Sequence, residues 1–458
     1  MNTHAKNLAE KIGGKIANIS IIGLGYVGLN ISIAFAREGF TVYGYDIDHL
    51  KIEKLKKGEN YINEEKNLSI LLPKVLDDKF HPSSDVAEAS ERGDVIIVIV
   101  PTADGDVPTL SYLKNALDSV KMNDIRGKLI LIESTVKVGT TEDFVRSQLE
   151  TGGMKAGVDF FIAYSPERID PGNLKMTFDH IPKIVGGVNA QSSDLGAMLY
   201  KHVVDEVIQV SNARTAEFVK LMENTQRDMN IALVNLFAMM CEESHIDVEE
   251  AMAAAATKWN FHQYRPGCGV GGHCLKKDPI LLAQSFEESF MDLSLIYSSR
   301  RINDMMPILT SEKALIIAQH ISNKKLEDVT IGILGLSYKK NSSDIRNSPA
   351  FAIITHLKEA GIKRMNIYDP LTDVESQCEA SEILKSDIII YTVDHNGFKS
   401  ILQSFDGFII DGTNTLNPSD RIFGVGRILG PLEGTSAKGG QMTYEKVKRD
   451  STIEIKDH

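Results

Sequence analysis

At 458 residues, with 43% apolar and 24% charged side chains, the chain has the make-up of an ordinary globular protein and is too long for one hydrophobic core. Two or three domains are expected, with disorder confined to the ends. The net charge of −12 argues against a general nucleic-acid binder, whose affinity comes from Lys and Arg neutralising phosphates, so a phosphate-bearing ligand has to meet local basic residues.

In chain order, Met1 to Lys15 lacks the apolar core of a signal peptide. From Ala17 the pattern is a short apolar strand (Ile19 to Ile22), a glycine-rich turn (Gly23 to Gly28), an amphipathic helix to about Arg37, and a strand (Thr41 to Tyr45) closing on Asp46, which is a βαβ unit. Buried-type strands follow at Val95 to Val100, Leu129 to Glu133 and Phe160 to Ala163, separated by helical stretches, as in a parallel sheet covered on both faces. The longest apolar run, Val95 to Pro101, is too short to span a bilayer, so a cytoplasmic protein with no membrane partner is expected.

Between about Asn212 and His320 strand signals nearly vanish and helices dominate, among them Ala213 to Glu243 and Val248 to Thr257. Their Met-rich apolar faces suit a spine between domains or a dimer interface. From Val329 the opening pattern returns, with a strand (Thr330 to Leu334), a turn at Gly335, a helix near Pro349 to Ala360 and a strand (Met365 to Tyr368) ending on Asp369. The fold expected is α/β, with two doubly wound Rossmann-like domains joined by a long helical middle: residues 1–205, 206–320 and 321–435, then a flexible tail, 436–458.

Gly23-Leu24-Gly25-Tyr26-Val27-Gly28 is a GxGxxG, a weak signal alone because tight turns that bind nothing share it. Here it follows a strand, opens a helix and precedes Asp46 by 18 residues, the arrangement that holds a dinucleotide pyrophosphate on a helix N-terminus and a ribose hydroxyl on a carboxylate. A carboxylate there would repel a 2′-phosphate, so NAD is expected over NADP. The second copy, Gly335-Leu336-Ser337-Tyr338-Lys339-Lys340, loses the glycines and gains lysines. It suits the diphosphate of another nucleotide-containing ligand, or is a solvated charged loop.

The four cysteines, Cys241, Cys268, Cys274 and Cys378, contain no CxxC pair and make no disulfide framework, which fits a reducing compartment. In Gly267-Cys268-Gly269-Val270-Gly271-Gly272-His273-Cys274-Leu275-Lys276-Lys277-Asp278, glycines permit close approach of a substrate and neighbouring lysines would favour a thiolate, making Cys274 the candidate nucleophile. Zinc on Cys268, His273 and Cys274 is the alternative, without the usual ligand spacing or a fourth ligand, and no metal is expected. Cys241, among Met and Phe, reads as core packing. Lys220 and Asn224 stand four apart on one helix face, where they could reach an oxyanion together or simply face solvent.

These residues resemble the UDP-glucose/GDP-mannose dehydrogenase family, and within it the UDP-N-acetylhexosamine branch. The resemblance runs from about Ile19 to Arg427: Gly23 to Leu29, Val100-Pro101-Thr102, Glu133 to Val136 with Val138 to Thr141, Ser165 to Arg168, Glu217 to Asn224, Gly269 to Asp278, Asn303-Asp304, and Tyr338-Lys339 with Asp344 to Arg346. It implies a four-electron oxidation of a UDP-sugar C6 alcohol to a carboxylate with two NAD in succession, through a thiohemiacetal and a thioester on Cys274. Lys220 and Asn224 would stabilise the oxyanion, Asp278 and a water held by Thr135 would assist proton transfer, and Glu167 would be the base for hydrolysis. The implied cofactor set is Gly23, Gly25, Tyr26, Val27, Gly28, Asp46, Lys51, Pro101, Thr102, Thr135 and Arg346. The implied substrate set is Glu167, Arg168, Lys220, Asn224, Arg265, Gly269, Gly271, Tyr338 and Lys339.

Departures bear on the sugar. Pro171 stands where UDP-glucose enzymes have a second glutamate, and Thr413 where many have an arginine. Asn260 falls where the N-acetylhexosamine branch often has an arginine, while Lys277 follows the UDP-glucose pattern. The resemblance therefore implies UDP-N-acetyl-D-mannosamine as substrate, with UDP-N-acetylglucosamine and UDP-glucose as alternatives, and a homodimer through the central helices making uronic acids for surface polysaccharide. Two other classes compete: a two-electron hydroxyacid dehydrogenase, which needs no nucleophilic cysteine, and a non-catalytic sugar-nucleotide sensor, against which the intact Lys220, Asn224, Cys274 and Asp278 set argues.

Overall fold

Short apolar runs become strands here because their alternate residues are buried against helices on opposite faces of a sheet. The computed structural model describes residues 1–62, 66–105, 107–169, 177–321 and 324–427, so Pro171 and the expected tail, 436–458, lie outside the described residues. The chain forms two compact units, Met1–Asn224 with Lys277–Met291, and Thr225–Lys276 with the chain from Asp292 on.

Among the described residues the main sheet of the first unit has eight strands: β1 (Asn18–Ile22), β2 (Thr41–Tyr45), β3 (Phe80–Ser83), β4 (Val95–Val98), β5 (Leu129–Ile132), β6 (Phe161–Tyr164), β7 (Lys183–Gly187) and β8 (Val207–Gln209). Their order across the sheet is β8-β7-β6-β5-β4-β1-β2-β3. Ile19, Ile21, Val95 and Ile97 face one apolar cluster, while Ile22, Ile96 and Val98 face the other. The expected parallel sheet is corrected at one place: β6 and β7 run antiparallel, Ala163 opposite Gly187 and Tyr164 opposite Gly186. Helix α1 (Thr3–Gly13), absent from the sequence reading, is capped by the Asn2 side chain on Ala5 N and buries Ala5, Leu8 and Ile12. Helix α2 (Tyr26–Arg37) starts where β1 ends, beside β4, and the strand order reverses between β1 and β4. That reversal opens the crevice where doubly wound sheets bind ligands.

Two helices run from one unit's residues into the other's, α3 (Ala213–Glu243) and α4 (Cys274–Gln284). In the second unit, α5 (Ser294–Ile321) precedes an all-parallel sheet of β9 (Thr330–Leu334), β10 (Arg364–Tyr368), β11 (Ile388–Tyr391), β12 (Phe408–Asp411) and β13 (Ile422–Gly424), ordered β10-β9-β11-β12-β13. Its order reverses between β9 and β11, so the loops after β9, β11 and β12 converge on one edge. Helix α6 (Pro349–Glu359) starts with Pro349 behind the cap Ser348, whose Oγ accepts from Ala350 N at 3.3 Å. Among the described residues no helix is long and apolar enough to cross a membrane.

Candidate active site

The glycine turn after β1 is shaped by what its missing side chains would strike. A Cβ on Gly23 (φ +100°) would sit 2.2 Å from the Ile99 carbonyl oxygen, and one on Gly28 would sit 1.9 Å from that of Gly23. A Cβ on Gly25 would meet nothing within 4 Å. Gly23 and Gly28 thus serve the packing of turn, strand and helix, while Gly25 leaves open space in front of α2, whose first N–H groups lack helical partners. Asp46, almost wholly buried, accepts from Leu24 N through Oδ2 and from Asp48 N through Oδ1, each at 3.0 Å, with Lys51 Nζ at 3.5 Å. The oxygens retain lone pairs for a ribose hydroxyl. An anion-ready helix end, an open glycine and a placed carboxylate fit NAD, and Tyr26 and Val27 lie in that first turn.

A second group gathers at the ends of β5 and β6. Glu133 and Glu167 clasp Lys183, the first residue of β7, at 3.3 and 2.8 Å, and Tyr200 donates a short hydrogen bond to Glu133. Burial alone would raise the Glu167 carboxyl, but Lys183 and the main-chain N–H groups of Arg168 (2.6 Å) and Ile169 (2.7 Å) outweigh it and hold the carboxyl below the usual range. The Glu133 carboxyl moves the other way, raised by burial against the pull of Lys183. Arg168 forks onto Glu223 at 3.1 and 2.6 Å. Lys220 Nζ donates to the Glu167 main-chain carbonyl at 2.5 Å. One turn along α3, Asn224 Nδ2 donates to Asp278 Oδ2 at 2.6 Å, leaving Asp278 Oδ1 buried with no hydrogen-bond partner among the described residues. Thr102 Oγ1 donates to the Thr135 carbonyl (2.5 Å) and accepts from Lys277 Nζ (3.1 Å), with exposed Pro101 beside it.

In the second unit Cys274 is exposed and is the first residue of α4, so its sulfur lies at a helix N-terminus, an environment that favours thiolate. Lys276 lies 3.8 Å from Asp304, and Lys277 donates to Thr102. Arg346, expected near the cofactor, forks onto Asp344 at 2.9 and 2.6 Å, and that carboxylate raises its guanidinium above the usual range. Burial pushes the Cys268 thiol up to about 12, and its Sγ points at the Thr392 carbonyl (3.6 Å). Among the described residues no three of His, Cys, Asp and Glu come together as a group that could hold a metal ion.

Beside this loop is a cavity of about 230 Å³ whose lining includes Arg265, Gly269, Tyr338, Lys340, Asp394 and Thr413. It opens at the converging loops after β9, β11 and β12. The cavity brings together Arg265, Gly269 and Tyr338 from the implied substrate set, and Lys340 joins them. Gly271 packs under Tyr338, whose Cβ lies 2.3 Å from where a Cβ on Gly271 would stand, and the Lys339 carbonyl accepts from Ser337 Oγ at 3.1 Å. Asn260 is exposed. Sequence reasoning missed Lys183: a lysine opening an apolar strand, Lys183-Ile184-Val185, was the available signal.

The chain matches the UDP-glucose/GDP-mannose dehydrogenase family in three stretches: its NAD binding domain over residues 17–204, its central domain over 214–305 and its UDP binding domain over 332–418. It is 38% identical over 419 residues to the UDP-N-acetyl-D-mannosamine dehydrogenase of Pyrococcus horikoshii, covering 89% of this chain and 99% of that one. A solved structure of the UDP-D-ManNAc dehydrogenase from that organism superimposes with a TM-score of 0.82 at 37% identity, covering 90% of this chain and 99% of the other. The UDP-N-acetyl-D-glucosamine 6-dehydrogenase of Salmonella typhi is 34% identical over 395 residues, 84% of this chain and 91% of that one. The chain belongs to the UDP-glucose/GDP-mannose dehydrogenase family and is an NAD-dependent UDP-sugar dehydrogenase.

Proposed function

We propose that the chain oxidises the C6 alcohol of UDP-N-acetyl-D-mannosamine to the carboxylate, by way of a thioester on Cys274. The observation that carries the chemistry is the Asn224–Asp278 pair, with Lys220 one turn away on α3 and Cys274 one turn before Asp278 on α4. Gly25 and Asp46 would hold NAD, which would supply the hydride acceptor, one cofactor molecule for each of the two oxidations. Lys220 and Asn224 carry donors suited to a developing alkoxide or oxyanion, and Asp278 Oδ1 is free to take a proton. Cys274 Sγ forms a bond to the aldehyde carbon as the carbonyl π pair moves to oxygen. After the second oxidation, water adds to the thioester carbon, the C–S bond breaks and the sulfur departs as thiolate. Glu167, held ionised, orients that water and draws its proton, with Thr135 on the loop after β5 holding a second water. Overall one alcohol and one water give a carboxylate, two hydrides and three protons.

The sugar assignment is supported by the relatives that carry the mannosamine name at 32–38% identity. Arg265, Gly269, Gly271, Tyr338, Lys339 and Lys340 are assigned to the UDP moiety, Glu167 and Arg168 to the sugar, and Lys51, Pro101, Thr102 and Arg346 to the cofactor. A homodimer through the central helices belongs to this reading, supported by Leu233, Phe237 and Met240, which expose 48%, 38% and 51% of their surface along α3. So does a cytoplasmic setting, in keeping with four free cysteines. The test counts NADH per sugar with UDP-N-acetylmannosamine, UDP-N-acetylglucosamine and UDP-glucose, each supplied alone. Two NADH from the mannosamine sugar, with slower turnover of the others, is expected. One NADH sinks the thioester, and preference for another sugar sinks the assignment.

A further inference from the structure

The stretch from Gly267 to Leu275, a loop that runs into the first residues of α4 and carries Cys274, is held at both ends by one buried polar chain. Helix α4 contains Pro279, which has no N–H to give to the carbonyl four residues earlier, that of Leu275. Arg300 on α5 donates to that carbonyl instead, through Nη1 at 3.4 Å. The same nitrogen makes a short ion pair with Asp228 on α3, and Nη2 reaches Asp304 at 2.5 Å. Asn303 Nδ2 donates to Asp228 Oδ1 (2.8 Å) and to the Asp228 carbonyl (2.9 Å), while its Oδ1 accepts from Asn235 Nδ2 (2.9 Å). Asn235 Oδ1 in turn accepts from Gly267 N at 3.0 Å, the other end of the loop.

Asp228 and Asn235 are wholly buried, Asn303 is 1% exposed and Arg300 5%. A charge pair taken out of water costs several kcal/mol in desolvation and is weak evidence for stability as such. Its geometry shows what it fixes. Between its two attachments the loop is glycine-rich, with Gly269 (φ +137°) and Gly272 (φ +81°) in the left-handed region, so the peptide itself has little stiffness with which to place a thiol.

We infer that Arg300, Asp228, Asn303 and Asn235 are positioning residues for Cys274, acting as a brace that fixes the Gly267–Leu275 loop so that the sulfur stays at the start of α4. The inference rests on Cys274 being the nucleophile. Small misplacements of reacting groups cost about 10²-fold in rate, which sets the scale of the effect.

The test uses full-length Asn235→Ala, Arg300→Lys and Arg300→Met. Asn235→Ala removes only the bonds to Gly267 and Asn303 and leaves the ion pair whole. Arg300→Lys keeps the charge but cannot serve Asp228, Asp304 and the Leu275 carbonyl together. Cys274 alkylation by iodoacetamide is followed by mass spectrometry across pH without substrate, beside kcat, KM and thermal melting. Expected are an alkylation profile displaced for all three variants and a kcat lowered about 10- to 100-fold with KM for NAD within twofold, Arg300→Lys being less impaired than Arg300→Met. An unchanged alkylation profile, or a kcat loss that merely follows the unfolded fraction, overturns the brace. The nucleophile reading fails separately, if Cys274→Ser still yields two NADH per sugar.

Discussion

Asn224 and Asp278 join α3 to α4 through one 2.6 Å hydrogen bond, made to a carboxylate whose other oxygen is buried without a protein partner among the described residues. That asymmetry leaves one oxygen held and the other available for a proton. Asp278→Asn removes the acceptor and should lower kcat by about 10²- to 10⁴-fold, while NAD affinity stays within twofold in a fluorescence titration. Asn224→Ala should cost about 10²- to 10³-fold in kcat. A variant of Asp278 that keeps a tenth of its activity would remove the carboxylate from the proton-transfer role.

The glycines of the first turn should separate by function. Gly25→Ala adds a methyl to open space at φ −68°, so melting should hardly change while the Kd for NAD rises at least about tenfold, because the methyl occupies the pyrophosphate's approach. Gly28→Ala drives a Cβ to 1.9 Å from the Gly23 carbonyl and should destabilise the protein by about 1–3 kcal/mol or more, with NAD affinity falling as a consequence. Calorimetric melting beside NAD titration distinguishes the two, and equal destabilisation by both would contradict the division of roles.

What the sequence shows well is local. The β1–α2–β2 unit was legible because apolar runs, glycine spacing and Asp46 all lie within about thirty residues, and β9 was legible from its apolar run and the turn at Gly335. The antiparallel pairing of β6 with β7 was not, since Lys183 to Gly187 was not read as a strand at all, and an apolar run does not show the direction in which it will pair. Lys220, Asn224 and Asp278 could be proposed from spacing and resemblance, but the Asn224–Asp278 bond spans 54 positions and only the fold makes it. Helix α4 escaped notice because four glycines and Pro279 read as breakers, and the compensation for Pro279 comes from Arg300 on another helix. Lys183 went unremarked, since nothing near it in sequence announces two buried glutamates.

Lys183 gives the sharpest stability prediction. Its ammonium serves Glu133 and Glu167 in a site with almost no solvent, so Lys183→Met leaves two carboxyls without their cation. The expected loss is about 3–5 kcal/mol in urea unfolding, the cost of an uncompensated buried charge. A loss below about 1 kcal/mol would mean that the site is wetter than its packing indicates.

Glu217 on α3 offers a pH test. Its wholly buried carboxyl accepts from Gly139 N at 2.5 Å and Thr141 N at 2.8 Å, and burial pushes it up to about 7 in spite of those bonds. An unfolded glutamate releases its proton near 4.5, so between 4.5 and 7 the folded protein holds a proton that the unfolded chain does not. The stability from this group is therefore fully present below pH 4.5 and is lost as pH rises through 7. The loss amounts to roughly 3 kcal/mol at about 1.4 kcal/mol per pH unit. Glu217→Gln cannot ionise, so its unfolding free energy should fall less than that of the parent between pH 4.5 and 8, by about 2–3 kcal/mol. Other groups titrate alike in both proteins and cancel in the comparison. Parallel pH profiles for the two would show that the N–H bonds from Gly139 and Thr141 keep Glu217 ionised at ordinary pH, and that burial is not the larger influence.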